Sequence, residues 1–335
     1  MIVPELQRCE ELLFHGEWSE LARVAPLQLS VTFPHLRSLN VNYSFSAPVP
    51  ASVRHLFHAL KIAPKLETVD ITSTISPEDL PCHQLTTVRG SDLEVAQVAH
   101  ILRSCPNLKN LELDLLLIGP GSPSNVVVHS SLREFRIRAN PDWLIDIVNS
   151  LARFSFPALQ TFTLNMKTSG MILIDPTSGV IEVIRRFSAS LRKVVLITGS
   201  QSLHRTLCRD ILQICPNLHS FAIEVYAYSE DDRDSEYILH LIQSLTIMDV
   251  SQAFLAPKLT ELCLLEHDSR MSAEYATAFL DMVESRSAGI GVSRLTDAEL
   301  KSTSAWVAQL SSDASIVERI KQLSRKGIRC ALGAI

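Results

Sequence analysis

The sequence predicts an α/β solenoid, with short parallel strands in one layer and helices in the other. Three observations lead there. A phrase of fixed apolar spacing returns along the chain, amphipathic stretches lie between its copies, and prolines stand where those stretches must stop. The phrase is a Pro or small polar residue followed by Leu-x-x-apolar-x-apolar. Its positions four and six share the period of two that buries one face of a strand.

The copies run in order. A degenerate first copy is Cys9-Leu12-Phe14, followed by Leu36-Leu39-Val41, Leu66-Val69-Ile71 and a weak copy at Leu85-Val88-Gly90. Clear copies follow at Leu108-Leu111-Leu113, Leu132-Phe135-Ile137, Leu159-Phe162-Leu164, Leu191-Val194-Leu196, Leu218-Phe221-Ile223 and Leu259-Leu262-Leu264. Cys105-Pro106-Asn107-Leu108 recurs letter for letter as Cys215-Pro216-Asn217-Leu218. From Leu36 to Leu259 the lead residues stand 30, 19, 23, 24, 27, 32, 27 and 41 apart. Most of these spacings fit the roughly 20–29 residues of a leucine-rich repeat, and the long ones need insertions.

Between the copies the period changes to that of a helix. In 52–62, Val53, Leu56, Phe57 and Leu60 fall on one helical face, and similar stripes occupy 93–102, 144–154, 180–187, 203–214 and 237–245. Pro64, Pro106, Pro157 and Pro216 end several of them, since proline lacks an amide proton and turns the preceding residue away from helix. After Leu265 the phrase is lost, and 273–284, 298–310 and 316–325 read as helices of a carboxy-terminal cap. The expected organisation is therefore a degenerate amino-terminal edge over 1–30, a repeat solenoid over 31–270 and a helical cap over 271–335. No unit can bury its apolar face alone, so stability is shared between neighbours.

Composition narrows the function. Of 335 residues 46% are hydrophobic and 47 are Leu, and the mean hydropathy is +0.16, which excludes wholesale disorder. With 31 basic and 36 acidic residues the formal charge is −5, so no nucleic-acid or membrane partner is expected. No apolar run approaches the ~20 residues of a membrane span, and Met1 to Glu11 lacks the apolar core of a secretory signal. Seven Cys with no C-x-x-C pair fit a reduced protein, cytoplasmic or nuclear.

The candidate site lies on the side chains that alternate outward. Position five reads Asn40, Asp70, Arg89, Glu112, Arg136, Thr163, Val195, Ala222 and Cys263. Position seven reads Asn42, Thr72, Ser91, Asp114, Arg138, Asn165, Ile197, Glu224 and Leu265. A concave partner surface is expected, with Asp70, Arg89, Glu112, Asp114, Arg136 and Arg138 setting orientation and Val195 and Ile197 supplying affinity. Against it stands the reading that these charges neutralise one another across strands while the carboxy-terminal segment covers the apolar residues.

Other motifs point nowhere sharper. The acidic run 229–236 is read as a solvated loop favouring the next helix's amino terminus, or as a dock for a basic peptide. His55 and His58 stand at i, i+3 without an evident third ligand. Gly119-Pro120-Gly121 and Gly289-Ile290-Gly291 are read as turns, and Cys105 and Cys215 as packing residues. No metal, cofactor or catalytic constellation is expected. An enzyme with its site in the strand-end loops would need a convergent acid, base or metal cluster, and the chain is read as a non-enzyme.

The Cys-Pro-Asn-Leu-x-x-Leu-x-Leu phrases, irregular unit lengths and intervening helices resemble the leucine-rich-repeat, ribonuclease-inhibitor-like portion of fungal F-box proteins, especially the expanded set of mushroom-forming fungi. The resemblance covers about Cys9 to Leu265. The ending Val317 to Arg329 is similar to the basic closing helix and strand of those proteins. Two departures stand out. The F-box phrase Leu-Pro-x-Glu is absent, Leu80-Pro81-Cys82-His83 not being one, and the Asn after the strand occurs in register only at Asn140. The resemblance implies a substrate-recognition module of an SCF-type ubiquitin ligase, with ligase subunits as partners only if an F-box lies upstream. A free-standing binding or inhibitor module is the alternative. Met1 falls almost inside the first repeat, which favours a fragment of a longer protein over Met1–Trp18 acting as a makeshift cap.

Overall fold

The computed structural model describes residues 8–16, 32–43, 59–72, 77–114, 125–139, 144–166, 177–199, 206–226, 236–247, 255–267, 273–289, 291–303, 310 and 313–334. The chain divides into two units, Met1–Arg138 with Asn149–Leu159, and Ala139–Val148 with Gln160–Ile335. Each is an α/β assembly built on parallel strands.

In the first unit every expected phrase forms a strand. These are β1 (Glu11–Gly16), β2 (Ser38–Tyr43), β3 (Thr68–Thr72), β4 (Thr87–Ser91), β5 (Asn110–Asp114) and, after the two-residue β6 (Val127–Val128), β7 (Glu134–Arg138). The order β1-β2-β3-β4-β5-β7 is all parallel, and positions four align across it: Leu12 with Leu39, Leu39 with Val69, Val69 with Val88, Val88 with Leu111, Leu111 with Phe135. The weak copy is therefore a full member. From β2 onward positions one, four and six are buried, and helix α1 (Val95–Ser104) buries Val95, Val98, Ala99, Ile101 and Leu102. The helix ends at Cys105 before Pro106, as the proline rule requires.

Gly90 explains why the fourth phrase looks weak. A Cβ there would stand 2.3 Å from Leu93 Cδ1 and 2.8 Å from its Cγ, so the buried Leu93 side chain takes the space of a position-six residue. Restoring the repeat pattern with Gly90→Leu is expected to destabilise the fold by about 1–3 kcal/mol through overpacking. Gly90→Leu combined with Leu93→Ala should recover part of that loss. Urea melts of the two variants check this, and a Gly90→Leu protein as stable as the parent would refute it.

Segment 144–154 is helix only over α2 (Leu144–Leu151), because β8 (Phe154–Ser155) turns into strand and pairs with β6 in the first unit. The second unit orders β9 (Thr161–Met166), β10 (Lys193–Gly199), β11 (Ser220–Tyr226), β12 (Glu261–His267), β13 (Asp297–Ser302) and β14 (Arg329–Ala334), all parallel. Helices α3 (Thr177–Phe187), α4 (Leu207–Ile214), α5 (Glu236–Leu245), α6 (Ala273–Ala288) and α7 (Ala314–Arg325) fall where stripes are predicted. Consecutive helices from α3 to α6 pack on one another, and α7 packs on α6.

The expected helix 298–310 is a correction. Its start is strand β13, which aligns Ala298 with Leu262 and Leu300 with Leu264, so Leu295-Ala298-Leu300 is a further copy of the phrase. Strand β14 adds another in register, with Cys330 beside Ala298 and Leu332 beside Leu300. The segment after 270 thus continues the parallel sheet as well as carrying helices. Helix α7 is held at both ends. Asp313 Oδ1 accepts from the Ser315 hydroxyl at 2.7 Å, Ser315 N–H at 2.9 Å and Ile316 N–H at 3.3 Å, and the hydroxyl first, then the two amides, lower the carboxyl's pKa. Gly327 closes the other end at φ +78°, a left-handed conformation suited to glycine. Arg319 forks onto Glu284 of α6 at 2.8 and 2.9 Å and reaches Asp281 at 2.5 Å.

One hydrogen-bond device recurs between units of the repeat. The position-two carbonyl accepts from two successive amides of the next copy: Arg37 and Ser38 onto Glu10, Glu67 and Thr68 onto Arg37, Lys109 and Asn110 onto Thr86, His219 and Ser220 onto Arg192, Thr296 and Asp297 onto Thr260. The shared Cys-Pro-Asn phrase has a physical meaning too. Asn107 Nδ2 donates to His83 O at 2.7 Å, and Asn217 Nδ2 donates to Ala189 O at 2.9 Å, each reaching the turn of the preceding copy. His129 does similar work while buried. Its Nε2 donates to Cys105 O at 2.9 Å and its Nδ1 accepts from Leu132 N–H at 3.1 Å, which fixes the neutral tautomer.

Val53, Leu56 and Phe57, both His55 and His58, Gly119 to Gly121, Asn140 and 229–235 lie outside the described residues. No described helix is long and apolar enough to cross a membrane.

Candidate functional site in the outward-facing rows

Because side chains alternate along a strand, the register that buries positions four and six turns five and seven outward. In the first unit this aligns Asn40, Asp70, Arg89, Glu112 and Arg136 as one row, and Thr72, Ser91, Asp114 and Arg138 as a second, in which Thr72 is itself buried. All six charged candidates of the sequence are thus neighbours on successive strands. Asn40 Nδ2 donates to Asp70 Oδ2 at 3.1 Å. Glu112 takes Arg89 at 3.4 Å on one oxygen and Arg136 at 3.2 Å on the other, and Asp114 takes Arg138 at 3.0 Å. Cross-strand pairing therefore holds for Arg89, Glu112, Asp114, Arg136 and Arg138, two arginines sharing one glutamate, while Asp70 accepts from the uncharged Asn40 amide.

Pairing does not withdraw the guanidinium groups from water. The side chains of Arg89, Arg136 and Arg138 remain 53%, 60% and 56% exposed, whereas Glu112 and Asp114 are 39% and 40% exposed. Exposed pairs of this kind contribute only about 0–1 kcal/mol to stability. Their effect is to hold each arginine from one side while it faces outward. A fixed guanidinium fork loses less entropy when it meets a carboxylate or carbonyl.

In the second unit the rows differ. Position five runs Thr163, Val195, Ala222, Cys263, Glu299 and Ala331, and position seven runs Asn165, Ile197, Glu224, Leu265, Lys301 and Gly333. Val195, Ile197, Cys263 and Leu265 are half-buried. Strand β13 brings charges that sequence reading missed: Lys301 pairs with Glu299 at 3.0 Å, and Cys263 Sγ donates to Glu299 Oε2 at 3.7 Å. Burial and the Glu299 charge push the Cys263 thiol up to about 11.

A further cluster closes the ends of β11 and β12. The rings of Tyr226 and His267 stack with centroids 4.0 Å apart, His267 Nε2 lies 2.9 Å from Glu224 Oε1, and the Tyr226 hydroxyl donates to the same carboxylate oxygen. Its signal in the sequence was the continuation of period two to position nine. Among the described residues no group of three or more His, Cys, Asp or Glu is placed to hold a metal ion.

No family model matches the chain, and no curated protein does. Among solved structures, the crystal structure of a protein from Bacteroides fragilis is similar to it over 98% of this chain and 73% of that one, with 13% identity and a TM-score of 0.43.

Proposed function

We propose that this chain is a protein-binding scaffold, an irregular leucine-rich-repeat solenoid whose outward sheet face, concave in a horseshoe of this kind, selects and positions a partner. The observation that carries the reading is the set of oriented arginines, Arg89 and Arg136 in one row and Arg138 in the other, each fixed by a neighbouring carboxylate yet more than half exposed. Arginine is enriched among the residues that dominate binding energy at protein interfaces. A partner presenting carboxylates and backbone carbonyls in an extended array would meet these forks in turn. Val195 and Ile197 offer a separate apolar contact on the second unit.

The resemblance of the repeated phrases to fungal F-box proteins extends this to a finer proposal. The partner is then a substrate presented to an SCF-type ubiquitin ligase, other subunits perform the chemistry, and the chain makes no bond itself. A free-standing binding or inhibitor module uses the same face without a ubiquitin link.

Affinity capture from lysate of the source organism tests both. The bait is run beside a variant with Glu112, Arg136 and Arg138 changed to Ala. A partner retained by the parent should be reduced at least about tenfold on the variant, which corresponds to about 1.4 kcal/mol. Thermal stability should stay within the roughly 0.5 kcal/mol usual for surface changes. Equal retention by both baits would refute the face. Co-capture of the ligase's small adaptor would favour the ubiquitin reading, and a partner without it the free-standing one.

A further inference from the structure

In the second unit the outward rows frame one carboxylate. Register across β10, β11 and β12 places Glu224 at position seven between Ile197 and Leu265. Along its own strand Glu224 is flanked by the small Ala222 at position five and by Tyr226 at position nine, where Tyr226 aligns with His267. All six are half-buried, while positions four, six and eight of the three strands are buried, so the block faces outward.

Glu224 differs from the carboxylates of the first unit. Glu112 and Asp114 hold arginines, whereas Glu224 meets only aromatic donors. The Tyr226 hydroxyl and His267 Nε2, the latter at 2.9 Å, both donate to Oε1, and neither bond falls on Oε2. A carboxylate can only accept, so Nε2 carries the proton. The two rings stack with centroids 4.0 Å and planes 8° apart, which fixes the carboxylate from that side. Beyond Leu265 the row continues to Lys301, but that ammonium is committed to Glu299 at 3.0 Å. Among the described residues Glu224, with a side chain 24% exposed, therefore has no Lys or Arg partner. A carboxylate in an apolar frame is stabilised by a cation that brings its own apolar stem.

We propose that Glu224 receives an arginine side chain of the partner, an inference that rests on the outward sheet face being a binding surface. The aliphatic stem packs against Ile197, Leu265 and the low surface over Ala222, and the guanidinium donates to Oε2. Arginine fits because it joins a weakly hydrated planar fork to an apolar stem, and a charge-assisted bond to a held carboxylate is strong. The polarity is the reverse of the first unit, which offers arginines to carboxylates. The partner thus presents acidic groups to the one and a basic side chain to the other.

The probe is an end-blocked alanine pentapeptide with one central arginine, titrated into the full chain while the Ile197 and Leu265 methyl resonances are followed by NMR. Its control carries citrulline, which keeps the shape and removes the charge. Saturable shifts are expected with the arginine peptide, and binding at least about tenfold weaker with citrulline. Glu224→Gln keeps an acceptor for Tyr226 and His267, and should erase that difference. Glu261→Gln, an exposed acid at position three of β12, should preserve it. Citrulline bound as tightly as arginine by the parent would overturn the proposal without recourse to any variant. So would absence of saturable shifts, or an unchanged preference in Glu224→Gln. The probe carries no carboxylate, so it tests Glu224 apart from the arginines of the first unit. Its failure alongside a partner lost on the triple Ala bait would sink this inference and leave the binding face standing.

Discussion

Leu111→Ala is expected to lower the unfolding free energy by about 2–5 kcal/mol, the range for truncating a well-packed buried leucine. Leu111 is 1% exposed and occupies position four of β5, aligned between Val88 and Phe135. Leu108, just before the strand, and Leu113 within it are equally buried, so little space exists for neighbours to collapse into the void. The transfer term and the cavity term therefore both count. The effect should also spread. A repeat unit is stable through its neighbours, so loosening β5 weakens the interfaces with β4 and β7 together. Leu111→Met, which conserves volume, should cost less than about 1.5 kcal/mol. Chemical denaturation of the two variants separates the outcomes. Partner capture by Leu111→Ala should fall only as the folded fraction falls, because the side chain points away from Glu112 and its arginines. An Ala variant melting with the parent would mean that the strand layer is not the core.

Strands β1 to β5, β7 and β9 to β12 were legible because their apolar positions obey one template whose register is set by burial, whereas the two-residue β6 and β8 lie outside it and β8 falls in a stretch read as helix. The outward rows followed from the same template, as did the cross-strand neutralisation weighed against the binding reading. β13 was missed for a local reason. Ala298-Glu299-Leu300-Lys301 is made of good helix formers, and a small Ala replaces the large apolar residue at position four. The tertiary register overrode that propensity, since Ala298 and Leu300 complete the buried stripe beside Leu262 and Leu264. The error carried into the site, where Glu299 and Lys301 interrupt what reads as an apolar patch.

Arg286 yields the second large effect, and its size depends on the replacement. It is 1% exposed and the largest fully buried side chain among the described residues. From α6 it donates Nη1 to Leu255 O at 3.3 Å and Nη2 to Ala256 O at 2.9 Å, spanning the turn that leads into β12. Ala256 holds φ +44°, an unfavourable conformation for a residue with a Cβ, and Arg286 fastens it there. Burial draws the guanidinium down to about 10 from 12.5, a cost of about 3 kcal/mol for keeping it charged. Arg286→Ala removes the hydrogen bonds and leaves a cavity, and is expected to cost about 3–5 kcal/mol. Arg286→Met also loses the hydrogen bonds, but it fills most of the volume and abolishes the desolvation cost. Ala256 O keeps Leu259 N–H at 3.0 Å as a donor, so the Met variant should lie within about 1.5 kcal/mol of the parent. The pH dependence carries the opposite bias. Below about 10 the arginine is charged both folded and unfolded, and the full cost is present. Between about 10 and 12.5 the unfolded chain binds the extra proton, so parent stability gains relative to Arg286→Met as pH rises. Denaturation of parent and Met variant at pH 8 and above pH 10 measures that difference directly. A Met variant as damaged as the Ala variant would show that the hydrogen bonds to the turn, and not filled volume, hold α6 against β12.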